Sequence, residues 1–437
     1  MMVTRKRRLA ALMAVAMLAV GMSACGDDDS SSSSGDGGAP PPGVTDTTVK
    51  VGGHFPLTGP AAPGYSQIPK GIEAYFEYVN AQGGVNGRKL EYIARDDGYN
   101  PTNTVKVTRQ LVLQDKVFAL LSGLGTPTHT KVVDFLNASK VPDLFVASGC
   151  LCWNEPEEHP WTFGWQTDYL TEGKILGQYV AEKYKGKKIA YFTQNDDFGE
   201  DGVKGLDMEI PGDQVVARET YESGNTEIGP QVAKIKAAGA DVVVAFTVPA
   251  YTALLRLAQV QLNDVTPLVV SNVGSDPTTL GGLLKSFSKG KADTSLIEGM
   301  ETASYLPALG DTENPWIELF SKVHQEYLAD EPLDGNILYG MATAYTFVTA
   351  LERAGEDPTR QGIVDAIKEG DLQGPGIVPT RYSADSNAGY SGVQIGVVKD
   401  GVIELTGEPL VTDAGEGPIE PHTEEQPPPP SEGVPGT

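Results

Sequence analysis

Short apolar runs rich in β-branched residues alternate along this chain with stretches whose apolar positions recur every three or four residues. Residues 48–54 read as a strand. Residues 71–80 then place Ile72, Tyr75, Phe76 and Val79 on one helical face. The alternation continues with a strand at 89–95, a helix at 103–114, a short buried strand at 117–121, a helix at 126–139 and a strand at 144–147. After a Trp-rich crossing, helices at 172–184, 200–209, 227–238 and 251–262 are interleaved with strands at 187–193, 214–221, 241–246 and 268–270. Two such series predict an α/β protein of two lobes, each a mostly parallel sheet with helices on both faces.

Some elements are left over: a strand at 297–302, helices at 316–328 and 337–354, and a strand at 393–398. If the first three return to the first sheet and 393–398 closes the second, the chain crosses between lobes three times. The expected division is then 46–165 with 299–373 in lobe 1, and 166–298 with 374–411 in lobe 2. Three crossings make a hinge, with a cleft that suits a small ligand.

The ends differ from this pattern. Arg5, Lys6, Arg7 and Arg8 precede an unbroken apolar run over 9–20, and small residues lead to Cys25. That order reads as a secretory signal over 1–24, too short for an ordinary membrane span. Residues 26–43 are rich in Asp, Ser, Gly and Pro, so 25–45 is expected to be a flexible linker. Residues 412–437 share that composition and are expected to be a disordered tail.

Charge narrows the partners. The chain carries 33 Lys+Arg against 58 Asp+Glu, and four of the basic residues leave with the signal. So acidic a surface argues against nucleic acid, which needs a basic footprint. The five histidines are scattered, and neither a Gly-x-Ser-x-Gly elbow nor a His-Glu-x-x-His occurs, so the sequence points to binding rather than catalysis. It calls for no cofactor and no metal. A two-lobed α/β enzyme and a ligand-sensing receptor domain are the alternatives.

Several segments carry a resemblance. His54-Phe55-Pro56-Leu57-Thr58-Gly59, Asn80-Ala81-Gln82-Gly83-Gly84-Val85-Asn86-Gly87-Arg88, Arg95-Asp96-Asp97-Gly98-Tyr99 and Thr193-Gln194-Asn195-Asp196-Asp197-Phe198-Gly199 occur in order. They resemble the type I periplasmic binding proteins, most closely the leucine/isoleucine/valine-binding branch of ABC-importer receptors. The ending Met22-Ser23-Ala24-Cys25 is similar to a bacterial lipobox. The resemblance implies a receptor acylated at Cys25 and tethered to the outer face of the cytoplasmic membrane. Its partners would be a small solute (an amino acid, amide or aromatic acid) and an ABC permease.

Candidate ligand contacts follow. The strand at 117–121 runs into Ser122-Gly123-Leu124-Gly125-Thr126-Pro127, where Thr126 reads as an N-cap and Pro127 as the first helical residue. Glycines there let a guest approach the backbone, and free N–H groups with the helix dipole offer a carboxylate seat at Gly125 and Thr126. An ordinary, well-capped βα loop is the plainer reading of the bare motif. The resemblance adds Ser148, Gly149 and Cys150 in the next loop, with Phe198 and Tyr251 as aromatics closing from lobe 2. It also expects an acid for an ammonium group near Val273, where Asp276 is the available substitute.

Cys150 and Cys152 fit either a bridge, which needs a tight local turn, or free thiols. Trp153, Trp161, Phe163 and Trp165 flank the first crossing, where they serve as hinge packing or as a wall against the ligand. Asp196, Asp197, Glu200 and Asp201 suit a helix start, where acids are favoured by the dipole.

Overall fold

The computed structural model describes residues 40–436. The expected signal, Cys25 and most of the expected linker lie outside the described residues. No helix among the described residues is long and apolar enough to cross a membrane.

Five parallel strands build the first sheet in the order β2-β1-β3-β4-β5: β1 Thr48–Phe55, β2 Lys89–Asp96, β3 Leu120–Leu121, β4 Asp143–Val146 and β5 Thr162–Gly164. The second sheet holds β6 Ile189–Gln194, β7 Val215–Tyr221, β8 Val242–Phe246, β9 Leu268–Val270, β10 Glu301–Ser304, β11 Gly392–Lys399, β12 Val402–Val411 and β13 Glu420–Pro421. Its order is β13-β12-β11-β10-β9-β8-β6-β7, parallel from β7 to β10 and antiparallel beyond. Every residue of β8, Val-Val-Val-Ala-Phe, is buried, as expected for a strand covered on both faces.

Helix Gly335–Arg353 is buried without a break from Ile337 to Leu351, and it packs on helix Ile68–Ala81 of the first lobe. Two glycines permit that approach. A Cβ on Gly71 would meet the Ile337 carbonyl at 2.3 Å, and one on Gly340 would meet that of Ile68 at 2.1 Å.

Two sequence expectations are corrected here. The strand near 297–302 does not return to the first sheet. It is β10, whose Glu301 pairs in parallel with Val269 and whose other edge pairs with β11, so the second crossing begins after Ser304. The segment beyond residue 412 is not a loose tail. Its last part lies along the first lobe, with Val434 buried, and its carbonyls accept from Tyr75 (Gly433, 2.7 Å), Tyr78 (Glu432, 2.7 Å) and the Trp316 indole (Pro427, 2.8 Å). Earlier in the same segment, the Gly415 and Gly417 carbonyls accept from the buried Lys174 ammonium. Proline and glycine supply these backbone acceptors without apolar side chains, which is why composition alone misreads them.

The three crossings meet on aromatic rings, one from each. Trp165 is 6.0 Å from Tyr305 and 5.2 Å from Tyr390, and those two tyrosines stack at 5.6 Å. The backbone ties them further, since the Tyr390 N–H donates to the Trp165 carbonyl and the Ile377 N–H to that of Tyr305. Of the two readings of the Trp-rich stretch, Trp165 takes the hinge role and Trp153 packs edge-on to His129.

Candidate functional site between the lobes

A cavity of about 160 Å³ lies between the lobes, lined from both and from the hinge. Its volume is close to that of an engineered apolar cavity known to admit benzene, about 150 Å³. Leu124 and Gly125 come from the loop after β3, and Phe198, Val248 and Val273 from the second lobe. Tyr65, Tyr99, Tyr169, Tyr305 and Tyr339 add five aromatic rings to the wall, with Gln166 at the first crossing.

Each wall element has a local cause. Asp196 is extended and accepts the Phe198 N–H at 3.1 Å, which starts helix Asp197–Glu209 and turns Phe198 inward. The acidic cluster is therefore a helix cap, as its composition suggests. Asp168 caps helix Tyr169–Lys183 through the Thr171 N–H, and so sets Tyr169 at the first helical position.

The loop after β3 departs from expectation. Gly125, at φ 101°, is the N-cap, Thr126 is the first helical residue, and that helix ends at His129. A second short helix, Val133–Ala138, follows. So brief a helix provides little dipole for a carboxylate. A Cβ at Gly125 would meet the Tyr99 ring at 2.5 Å, so glycine is required for space as well as for backbone angle.

Of the predicted contacts, Gly125 and Phe198 line the cavity. Thr126 and Ser148 are buried and do not line it; their hydroxyls are 2.7 Å apart. Ser148, Gly149 and Cys150 line a side cavity of about 10 Å³, whose wall Gln166 shares with the larger one. Cys150 and Cys152 are bridged, with Cα atoms 5.1 Å apart across the short helix Leu151–Trp153. Tyr251 is a correction. It stacks on Tyr221 at 3.8 Å and donates to the Glu222 carbonyl, so it does not line the cavity. Tyr169 comes in from the second lobe instead.

Asp276 does line the cavity, yet both carboxylate oxygens are engaged. One caps helix Pro277–Phe287 at the Thr279 N–H, and the other accepts the Gly335 N–H of the first lobe at 3.0 Å. The Asn336 amide adds a second cross-lobe bond to the Thr279 hydroxyl at 3.1 Å. These bonds tie the two lobes together. Asp334 caps the helix on the other side, and burial followed by the neighbouring Asp276 pushes its carboxyl up to about 7.

Sequence reading missed Tyr65, Tyr99, Gln166, Tyr169, Tyr305 and Tyr339. One signal was present for Tyr169: Asp168 three residues before Thr171 marks a helix start at 169 rather than 172. It also missed a buried chain under the Gly123 loop. His54 and His129, apart in sequence, sit 2.8 Å apart, held at either end by Asp97 and Asp143.

Glu172 is fully buried behind Asn272, whose N–H it accepts at 2.6 Å, and burial pushes its carboxyl up to about 8. The unfolded chain ionises it near its ordinary value of 4.5, so native stability falls as pH rises from there to about 8. Asp334 acts the same way but is complete near 7. Buried His54 has a lowered pKa, so it opposes folding only as pH falls below 6.5. Of these groups, Glu172 alone carries the slope between pH 7 and 8. Stability is expected to fall there by up to about 1.4 kcal/mol per unit, and Glu172→Gln is expected to flatten the decline. Denaturant titrations at pH 7.0, 7.5 and 8.0 check this; an unchanged slope in the variant contradicts it.

Among the described residues, no cluster of His, Cys, Asp or Glu is arranged to hold a metal. The geometry offers enclosure and hydrogen bonding.

Known proteins share this construction. The "Leu/Ile/Val-binding protein homolog 2" of Brucella abortus (strain 2308) is 29% identical over 208 residues, 46% of this chain and 54% of that one. The "Leucine-, isoleucine-, valine-, threonine-, and alanine-binding protein" of Pseudomonas aeruginosa is 25% identical over 206 residues, 45% of this chain and 52% of its own. The matched stretch thus spans about half the length of these curated relatives. Among solved structures, a fatty acid ABC transporter substrate-binding protein from Thermomonospora curvata superposes with a TM-score of 0.74 at 23% identity, covering 87% of this chain and 96% of that one. A branched chain amino acid ABC transporter protein from Thermus thermophilus with bound valine gives 0.71 at 21%, covering 84% and 97%. At such identities the structures speak for the fold, two mostly parallel sheets flanked by helices. Residues 48–402 match the family described as periplasmic binding protein, and with most of its length inside that match the chain belongs to this family.

Proposed function

We propose that this protein is an extracytoplasmic receptor that captures a small solute bearing a carboxylate or amide group, akin to a branched-chain amino acid, and delivers it to an ABC importer. The observation that carries this reading is the cavity between the lobes, walled by Leu124 and Gly125 on one side and by Phe198, Val248 and Val273 on the other. A solute touching both walls favours the closed arrangement over the open one, and a permease can recognise that difference. The names of the relatives, which specify leucine, isoleucine and valine, support the size and character of the solute. Gly125, Thr126, Ser148, Gly149 and Cys150 form the first-lobe side of the site in this reading, and Phe198 the lid. Acylation at Cys25 would keep the receptor at the membrane beside its permease, with the linker giving it reach.

The test is a thermal-shift screen of amino acids, amides and aromatic acids, followed by calorimetry on any compound that raises the melting midpoint. Phe198→Ala removes a buried ring from the cavity wall and is expected to weaken binding about tenfold or more, on the order of 1.5–3 kcal/mol. Equal affinity in the variant would contradict this site. Chemical conversion of the bound compound would contradict a receptor and favour an enzyme.

A further inference from the structure

We infer that the cavity takes an uncharged amide on an apolar body, in preference to a carboxylate or a zwitterionic amino acid. The inference rests on the receptor reading above and narrows its ligand class.

The first observation concerns the donors expected to seat a carboxylate. The Ser148 and Thr126 hydroxyls already bond each other at 2.7 Å, and the Ser148 oxygen also accepts the Cys150 N–H at 3.3 Å. The Tyr169 ring lies against Gly149, where a Cβ would meet its Cδ1 at 2.9 Å, and the Tyr169 N–H donates to the Gly149 carbonyl at 2.7 Å. Tyr169 belongs to the helix that opens the second lobe. The seat is therefore filled from within the chain, with the Thr126–Ser148 bond behind it.

The second observation is charge. No Lys, Arg or His among the described residues lines the cavity. Its one carboxylate among the described residues, Asp276, accepts an N–H group on each oxygen. A ligand carboxylate would enter without a cation and beside the Asp276 carboxylate, which is unfavourable in a water-poor site. An ammonium group would have to share oxygens that already hold the Thr279 and Gly335 N–H groups.

The third observation is what remains open. Gln166 is 7% exposed, lines the cavity and makes no hydrogen bond. The hydroxyls of Tyr65 and Tyr305, on residues 7% and 3% exposed, likewise have no hydrogen-bond partner among the described residues. A carboxamide and two phenols each donate and accept, and none carries charge at neutral pH. An amide presents one carbonyl and one NH₂ and complements them. A buried polar group left unpaired is costly, so these residues select for a ligand that pairs them. Leu124, Phe198, Val248, Val273 and Leu306 are left for its apolar body.

The experiment is calorimetry with a series that shares one body: isovaleramide, isovalerate, leucine and isoamylamine. The wild-type chain is expected to bind isovaleramide at least tenfold more tightly than the other three. Gln166→Leu is expected to cut affinity for the amide at least tenfold, with its melting midpoint recording that it folds. Tyr169→Ala empties the seat and is expected to raise affinity for isovalerate relative to isovaleramide at least tenfold. Isovalerate or leucine bound as tightly as the amide by the wild-type chain would overturn the head-group assignment and leave the receptor reading standing. If no compound here or in the wider screen gave heat or a melting shift, the receptor reading itself would fall.

Discussion

Replacing Trp165 with alanine is expected to destabilise the protein by about 3–5 kcal/mol, the range for deleting a fully buried large aromatic. The ring has no exposure, and its indole N–H donates to the Thr346 hydroxyl at 3.0 Å on the buried helix Gly335–Arg353. It touches Tyr305, Tyr339 and Tyr390, so removing it leaves a void where all three crossing segments meet. The segments run between separate sheets, which limits how far they can collapse into that space. Trp165→Phe keeps a ring but loses the indole donor, and is expected to cost less than half as much. Urea denaturation of the three proteins checks the order. A Trp165→Ala variant within about 1 kcal/mol of the parent would show that the hinge does not depend on this ring.

The second large effect concerns the C-terminal segment. A chain ending at Thr412 is expected to lose about 3–5 kcal/mol, the typical cost of stripping a buried charge of its partners. Lys174 is 2% exposed, and its ammonium is held by the Thr412 hydroxyl, the Gly415 and Gly417 carbonyls and the Asp413 carboxylate. Only the first survives truncation. The Tyr75, Tyr78 and Trp316 donors lose their acceptors too, although those nearer the surface can turn to water. A Lys174→Met change in the shortened chain is expected to recover part of the loss, because it removes the unpaired charge and keeps the stem. Full stability without residues 413–437 would mean that the segment merely lies on the surface.

This segment shows why some of the structure could not be read from sequence. Composition reports whether side chains can form a core, and Pro427 to Pro430 cannot. The contacts that hold the segment are backbone carbonyls meeting tyrosine, tryptophan and lysine donors far away in the chain. The strands of both sheets were legible for the opposite reason. A parallel strand covered on both faces must be apolar throughout, and runs such as Val242–Phe246 meet that demand locally. Which sheet a strand joins is not local. Glu301–Ser304 has a pattern compatible with either, and its place is decided by partners some thirty and ninety residues away.

The site was legible in the same uneven way. Gly125 and Phe198 belong to recognisable turns, a glycine loop after a strand and an acid-capped helix start, and both reach the cavity. Tyr251 and Tyr169 are both tyrosines in the first turn of a helix. Tyr251 turns onto Tyr221, while Tyr169 turns toward Gly149 and Phe198. Side-chain direction depends on neighbours that only the fold assembles. Gln166, Tyr65 and Tyr305 carry no motif at all; they stand out because they are buried, polar and unpaired.

The claim on which the account rests is that two hinged halves close on one small solute. Small-angle X-ray scattering of the chain, alone and saturated with the compound that most raises its melting midpoint, addresses this directly. A more compact particle is expected with ligand, and loss of that contraction at the same concentration in Phe198→Ala. Identical scattering with and without a bound ligand in the wild-type protein would contradict closure of the halves.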